Sequence, residues 1–353
     1  MARRLKLGGA VIPRSAALPT LTAILMLAVA GASHAGQSAG EPANQRPTII
    51  FRAGVEAVGI TAAVRDGRGR IVRNLKRSEF EIVDRGSSRE IREFYTGEAP
   101  ISLAVLLDIS GSMAVSGNID RARHAVSVAM GLLTGGRDEA ALYTFDATLS
   151  EVVPFTRDVD RVRRVKLQGL PWGITSLYDA VGAAAKSVAV RANRHRALLV
   201  ITDGVDTGST LTAPEVSGIA SVIDVPVYLL AVVSPLDHPG GELSVLAADG
   251  ASTSTATLAD LARWTGGDMR VASVPEHITE GVRDLFEELR YQYLITFEPD
   301  PSPGWHPLEV RTRNKNLTVH ARGGYMSGPA RPEDSSRTDE RNLEEKASCG
   351  IRC

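Results

Sequence analysis

Apolar runs and helical stripes alternate through the middle of the chain. Continuous apolar runs at 101–107 and 197–202 have the pattern of strands buried on both faces of a sheet. Apolar residues recur every three or four positions over 119–133 and 177–188, which predicts amphipathic helices, the first with Asn118 as its N-cap. Because strands alternate with helices, we predict a doubly wound α/β fold with a mainly parallel sheet. The same patterns predict further strands at 140–145 and 225–233 and further helices at 258–264 and 278–289.

Short β-type runs separated by turn residues lie on both sides of this α/β region. Fewer than about fifty residues of short strands form a poor core by themselves. We therefore predict that the two flanks, 48–98 and 291–326, pair into one β-sandwich-like domain, with the α/β domain at 99–290 inserted between them. The segment 327–353 is rich in Pro, Ser and charge, which predicts a disordered tail. The runs predicted as strands are 48–51, 57–64, 80–83 and 91–95 before the α/β region, and 291–297, 308–312 and 317–321 after it.

The N-terminus has the pattern of a secretory signal peptide. Four positive charges precede an apolar run at 21–30, and Ser33-His34-Ala35 follows as a small-x-small cleavage pattern. We expect a signal peptide at 1–35, cleaved after Ala35, then a linker at 36–47, and a periplasmic or secreted mature protein. The alternative is an uncleaved anchor, although the apolar run is short for a bilayer of about 30 Å. No later apolar run reaches that length, so we expect no membrane span in the mature chain.

Charge and cysteine content argue against two classes of function. The 353 residues include 40 Lys and Arg against 41 Asp and Glu, and removing the four charges of the signal segment lowers the formal net charge from −1 to −5. This balance argues against a polybasic nucleic-acid binder. The 2 cysteines, Cys349 and Cys353, both lie in the predicted tail, which argues against a structural zinc site and leaves their pairing open.

Five oxygen-bearing residues follow the predicted buried strands. Asp108, Ser110 and Ser112 leave the first strand, Thr175 precedes a helix, and Asp203 ends another strand. Ligands of doubly wound folds bind at the carboxyl ends of the strands. A set with two carboxylates, several hydroxyls and no nitrogen or sulfur suits a hard cation, Mg²⁺ first and Mn²⁺ or Ca²⁺ second.

Each of these residues also has a simpler interpretation. Asp108, Thr175 or Asp203 taken alone would be explained as a helix cap, and only the full set favours a metal site. Asp179 and Asp206 are interpreted as hydrogen-bonding residues of a helix or turn. Trp172 is either a contact for a partner beside the metal or a packing residue. The segment 234–257, rich in Gly, Ser and Thr, is predicted to be a mobile insertion, and the alternative is a loop that borders the metal face and tunes specificity.

The set Asp108-x-Ser110-x-Ser112, Thr175 and Asp203-Gly204 resembles the metal-ion-dependent adhesion site of von Willebrand factor type A domains. The resemblance covers roughly 101–289. The flanks are similar, less specifically, to bacterial secreted "VWFA-related" proteins, through the hairpin at 65–70 and the closing segment 293–325. The resemblance implies that the three hydroxyls bind the metal, that the two aspartates bind it directly or through water, and that an open position accepts an acidic side chain of a partner protein.

The expected activity is metal-dependent protein binding without bond making or breaking. The sequence contains no Gly-x-Ser-x-Gly elbow, HExxH helix, Walker loop or Gly-x-Gly-x-x-Gly after a strand, so we expect no enzyme. The alternative function is an envelope scaffold in which the metal is only structural and the β domain makes the contacts. Neither the partner nor the oligomeric state follows from the sequence.

Overall fold

The computed structural model describes residues 57–167, 169–204, 206–222, 224–236 and 253–327. These all belong to one compact unit, Ala53–Cys353. The predicted signal peptide, the linker, the strand at 48–51, nearly all of the predicted tail and both cysteines lie outside the described residues. No helix among the described residues is long and apolar enough to cross a membrane.

A six-stranded sheet forms the centre of the fold, in the order β10-β9-β8-β5-β6-β7. All neighbours pair in parallel except β6 and β7, which are antiparallel. This confirms the predicted α/β class with a mainly parallel sheet. The strands are β5 (Ile101–Asp108), β6 (Glu139–Phe145), β7 (Leu149–Thr156), β8 (His195–Thr202), β9 (Val227–Val232) and β10 (Met269–Ala272).

Helices cover both faces of this sheet because side chains alternate along its buried strands. Leu103 and Val105 of β5 pack with the helices of one face, whereas Ala104 and Leu106 pack with those of the other. The first face is covered by α1 (Asn118–Leu132), α2 (Val159–Arg163) and α6 (Pro275–Arg290), and the second by α3 (Leu177–Ala189), α4 (Ala213–Val222) and α5 (Thr253–Thr265).

The two flanks form two antiparallel sheets that share one core. This confirms the prediction that the flanks before and after the α/β region pair with each other. One has the order β13-β1-β11-β4 and the other β14-β12-β2-β3. Ile60 lies opposite Ile295, and Phe80 of the second sheet packs on Tyr293 of the first, with ring centroids 4.9 Å apart. The strands are β1 (Val58–Arg65), β2 (Phe80–Asp84), β3 (Ser87–Arg89), β4 (Ile91–Tyr95), β11 (Tyr293–Phe297), β12 (Gly304–Thr312), β13 (Thr318–Ala321) and β14 (Gly324–Ser327).

Several local expectations are wrong or incomplete. The N-cap of α1 is Gly117, at φ 75°, and Asn118 is already helical. The segment predicted as a mobile insertion contains the first turn of α5, which begins at Thr253. The patterns also missed β7, α4 and β10. The sequence of α4 contains Pro, Gly and two Ser residues, β10 has only four residues, and the edge strand β7 is largely exposed, so none carries a strong periodic signal.

Candidate functional site

The candidate site lies where the strand order of the central sheet reverses. From β5 the chain continues to β6 on one side, and it later returns to β8 on the other side. Asp108 is the last residue of β5, and Asp203 directly follows β8. A crevice opens at such a switch point because the loops after the two strands lead away in opposite directions. The sheet therefore places these two carboxylates beside each other, as the sequence predicts.

Asp108 is fully buried and receives hydrogen bonds from neutral groups. The Ser110 amide donates to its Oδ1 at 2.8 Å, and the Thr202 hydroxyl donates to its Oδ2 at 2.6 Å. Burial raises the pKa of Asp108 to about 6, against the effect of these hydrogen bonds, and the charge of Asp203 adds to the increase. This carboxylate is held in place but lacks charge compensation from the groups that bond to it.

A chain of hydrogen bonds joins the two aspartates through the serines. The Ser110 and Ser112 hydroxyls are 3.1 Å apart, and the Ser112 hydroxyl donates to Asp203 Oδ1 at 3.1 Å. Ser112 lies in a 3₁₀ segment, Gly111–Gly117, which follows Ser110 directly. This tight turn after the strand brings both hydroxyls to the carboxyl end of β8.

The loop that carries Thr175 is docked onto the loop after β5. The Gly111 amide donates to the Gly173 carbonyl at 3.0 Å, and the Trp172 amide donates to the Ile109 carbonyl at 2.9 Å. A Cβ on Gly111 would lie 3.2 Å from that Gly173 oxygen, so a glycine permits this close approach. Thr175 is buried.

The second side of the Thr175 loop is fixed by the loop after β8. The Thr175 amide donates to the Thr207 hydroxyl at 3.0 Å, and the Thr175 carbonyl accepts from the amides of Thr207 and Gly208, both at 2.9 Å. Thr175 is not the N-cap of α3, because that position is occupied by Ser176. Four of the five predicted residues share one chain of hydrogen bonds. Thr175 lies on a separate loop, which is hydrogen-bonded to the loop after β5 and to the loop after β8.

The donor set fits a hard divalent cation. Two carboxylates and three hydroxyls lie on the loops after β5 and β8 and on the loop before α3, and all of them offer oxygen. A buried carboxylate with a raised pKa, next to a second carboxylate, is the environment in which a bound cation offsets the cost of desolvation and repulsion. Asp108, Ser110, Ser112, Thr175 and Asp203 are the residues that would hold it.

Other polar residues near the site support the loops. Asp179 accepts hydrogen bonds from the amides of Thr210 and Leu211, as expected for a turn residue. Asp206 accepts from the Leu177 amide at the start of α3. Thr202, which orients Asp108, was not among the predicted site residues. Its position inside an apolar strand gives no separate signal.

A second group of potential ligands lies away from this site. One ligand atom each of Asp268, Glu288 and His320 falls within 4.8 Å of the others. Arginines already occupy these carboxylates: Arg65 Nε donates to Glu288 at 2.8 Å, and Arg270 pairs with Asp268 at 2.8 Å. A further divalent charge would be repelled by both guanidinium groups, so we interpret the group as a buried ion-pair network.

The central region is similar to a known domain. Residues 103–205 match the sequence model of the von Willebrand factor type A domain. No curated protein matches the chain significantly. Among solved structures, similar ones include an aerotolerance-related membrane protein from Bacteroides fragilis, at 19% identity over 54% of this chain and 98% of that chain, with a TM-score of 0.41. BatB from Bacteroides thetaiotaomicron matches at 18% identity over 53% and 99%, with a TM-score of 0.39. A von Willebrand factor type A protein from Catenulispora acidiphila matches at 11% identity over 78% and 76%, with a TM-score of 0.41.

Proposed function

We propose that this protein, whose central region contains a von Willebrand factor type A domain, is an exported module that binds a partner protein through a divalent cation. A von Willebrand factor type A domain is a protein-interaction module, and the metal dependence is our inference. The cation is Mg²⁺ in first place, with Mn²⁺ and Ca²⁺ as alternatives. Its ligands are Asp108, Ser110, Ser112, Thr175 and Asp203.

The observation that carries this proposal is the hydrogen-bonded chain from Asp108 through Ser110 and Ser112 to Asp203. It joins two strand ends that are 95 positions apart in the sequence, at the switch point of the sheet. A helix cap needs only one of these residues, whereas a hard cation needs several oxygens converging on one point.

The chemistry of the donors supports binding of an acidic partner. Three of the five donors are neutral hydroxyls, so two carboxylates balance the charge of a divalent ion without exceeding it. Such an ion remains attractive to another anion, and Mg²⁺ commonly keeps water at positions that the protein leaves open. A Glu or Asp side chain of the partner would replace that water. This role requires no bond to be made or broken, so we propose that the protein is not an enzyme.

The localisation rests on the N-terminal sequence. The positive segment, the apolar run and the small-x-small pattern before residue 36 support export to the periplasm or outside the cell.

Metal binding and partner binding can be tested separately. Calorimetric titration with Mg²⁺ should give one site in the wild type and none in Asp108→Ala, while Asp120→Ala, which removes an exposed aspartate of α1, should bind like the wild type. In a pull-down from envelope extract, a specific protein should be recovered by the wild type and Asp120→Ala and lost with EDTA or Asp108→Ala.

The opposite result would favour the scaffold. If folded Asp108→Ala recovers the same protein with and without EDTA, the metal does not make the contact, and an envelope scaffold acting through its β domain explains the protein better.

A further inference from the structure

Four large apolar side chains on the segments that carry Ser112 and Thr175 are exposed. Leu170 is 94% exposed, Trp172 83%, Val115 60% and Ile174 51%. We call these four residues the apolar rim. Val115 lies at a kink, with extended backbone, in the segment that follows Ser112, and the other three lie on the loop that leads to Thr175. Exposed apolar groups gathered at one place mark a contact surface more often than scattered single residues do.

The backbone that carries the rim is fixed. The Trp172 amide bonds to the Ile109 carbonyl at 2.9 Å, and the Gly173 carbonyl accepts from the Gly111 amide at 3.0 Å. Upstream, Arg123 donates to the Gly169 carbonyl at 2.8 Å. The loop is therefore bonded to the site on one side and to α1 on the other, while its large side chains point to solvent. A side chain held in this way loses little backbone freedom on binding, which is the property of an interface anchor.

The charged side chains that line a cavity next to Leu170 are both positive. This cavity of about 190 Å³ is lined by Arg123, Lys166 and Leu170, and also by Leu107 and Ile109, the two neighbours of Asp108 in the sequence. Arg123 also pairs with Asp120 at 3.2 Å. Such a surface suits an acidic segment with apolar side chains better than a basic or purely polar one.

We propose that the partner presents its acidic residue within a short segment that also carries large apolar side chains, and that Trp172 and Leu170 bind those side chains. This inference rests on the proposed function, because the same segment places its carboxylate at the metal. The acidic residue provides the metal dependence, whereas the apolar neighbours select among the many proteins that expose Asp or Glu.

The test uses a displayed library of nine-residue peptides with a fixed central Glu and random flanks, selected on the full chain in Mg²⁺ and again in EDTA. The wild type should enrich large apolar residues within about three positions of the Glu, in Mg²⁺ only. The matched control is Val190→Ser, which removes another exposed apolar side chain, 80% exposed, at the far end of α3. It should select the same peptides as the wild type.

The double variant Leu170→Ser/Trp172→Ser should bind the selected peptides at least about tenfold more weakly, as expected when an aromatic anchor is lost. Its calorimetric Mg²⁺ binding should equal that of the wild type, which separates loss of the rim from loss of the metal.

The possible failures are distinct. Peptides that depend on Mg²⁺ but lack apolar flanks, or that bind the double variant as well as the wild type, would overturn this inference and leave the proposed function intact. Apolar peptides recovered equally in EDTA, or no peptide recovered in Mg²⁺, would overturn the proposed function and this inference with it.

Discussion

Two neighbouring glutamates of α6 offer a direct test of how this fold joins its α/β layer to its β layer. Glu288 is completely buried and bonds to Arg65 of β1, while Glu287 bonds to Arg73 and is 41% exposed. Both pairs link the same helix to the same flank of the chain. They differ in burial, and burial determines how much free energy the loss of one partner costs.

Glu288 is ionised in the folded protein. Burial by itself would raise its pKa, but the His320 ring and the Arg65 guanidinium outweigh burial and lower it. In Glu288→Gln the shape is kept and the negative charge is lost, so the remaining ion-pair partner of Arg65 is Asp268, at 3.7 Å.

Removing one partner of a buried ion pair costs about 3–5 kcal/mol, and we expect a value near 3 because Asp268 remains. In a domain of this size each kcal/mol of lost stability lowers the Tm by about 2–4 °C, so we expect the Tm of Glu288→Gln to fall by about 6–12 °C. Glu287→Gln breaks an exposed pair and should cost less than about 1 kcal/mol.

Thermal and urea unfolding followed by circular dichroism measures both variants. Equal, small effects of the two substitutions would refute the reasoning, because they would mean that the Glu288 pair contributes no more than a surface pair.

Three further predictions concern pH, backbone packing and metal. Burial lowers the pKa of His195 to about 4, below its value of about 6.5 in the unfolded chain. The folded protein therefore loses about 3 kcal/mol of stability as the pH falls from 6.5 to 4, because the unfolded chain takes up the proton first. Urea unfolding of His195→Gln should lack this part of the pH dependence. Gly267→Ala would place a Cβ 2.1 Å from the Val227 carbonyl oxygen and should destabilise the fold by about 1–3 kcal/mol or more. Gly131→Ala adds its Cβ in open space on α1 and should stabilise the fold by about 0.5–1 kcal/mol. Equal Tm values for the two variants would contradict this. Mg²⁺ at about 100 times its Kd should raise the free energy of unfolding of the wild type by about 2.7 kcal/mol and leave Asp108→Ala unchanged, and a shift in both would place the ion elsewhere.

The sequence predicted the central strands closely because their signal is local. β5 and β8 are continuous apolar runs that must be buried on both faces, and the structure places them at Ile101–Asp108 and His195–Thr202. Helix α3 was equally clear, since its apolar stripe faces the sheet along its whole length. Elements without such a stripe, such as α4, depend on contacts with distant residues and left no comparable pattern.

The sequence predicted that Asp108 and Asp203 lie close together, because the carboxyl ends of neighbouring parallel strands meet at one edge of the sheet. The structure joins these two residues through Ser110 and Ser112, and the metal site itself stays a prediction. The sequence left the role of Trp172 open, and its 83% exposure, together with the bonded loop beneath it, decided that it is not a packing residue.

Residue types and their periodicity therefore determined the α/β class and the pairing of the flanks, and they selected the candidate site residues. Only the tertiary structure decided which charges are buried against each other and which apolar side chains face solvent. Arg65 and Glu288 are 223 positions apart, and Thr202 reaches Asp108 across 94 positions. Local patterns report burial along one element, whereas a hydrogen bond between distant residues depends on how all the elements pack.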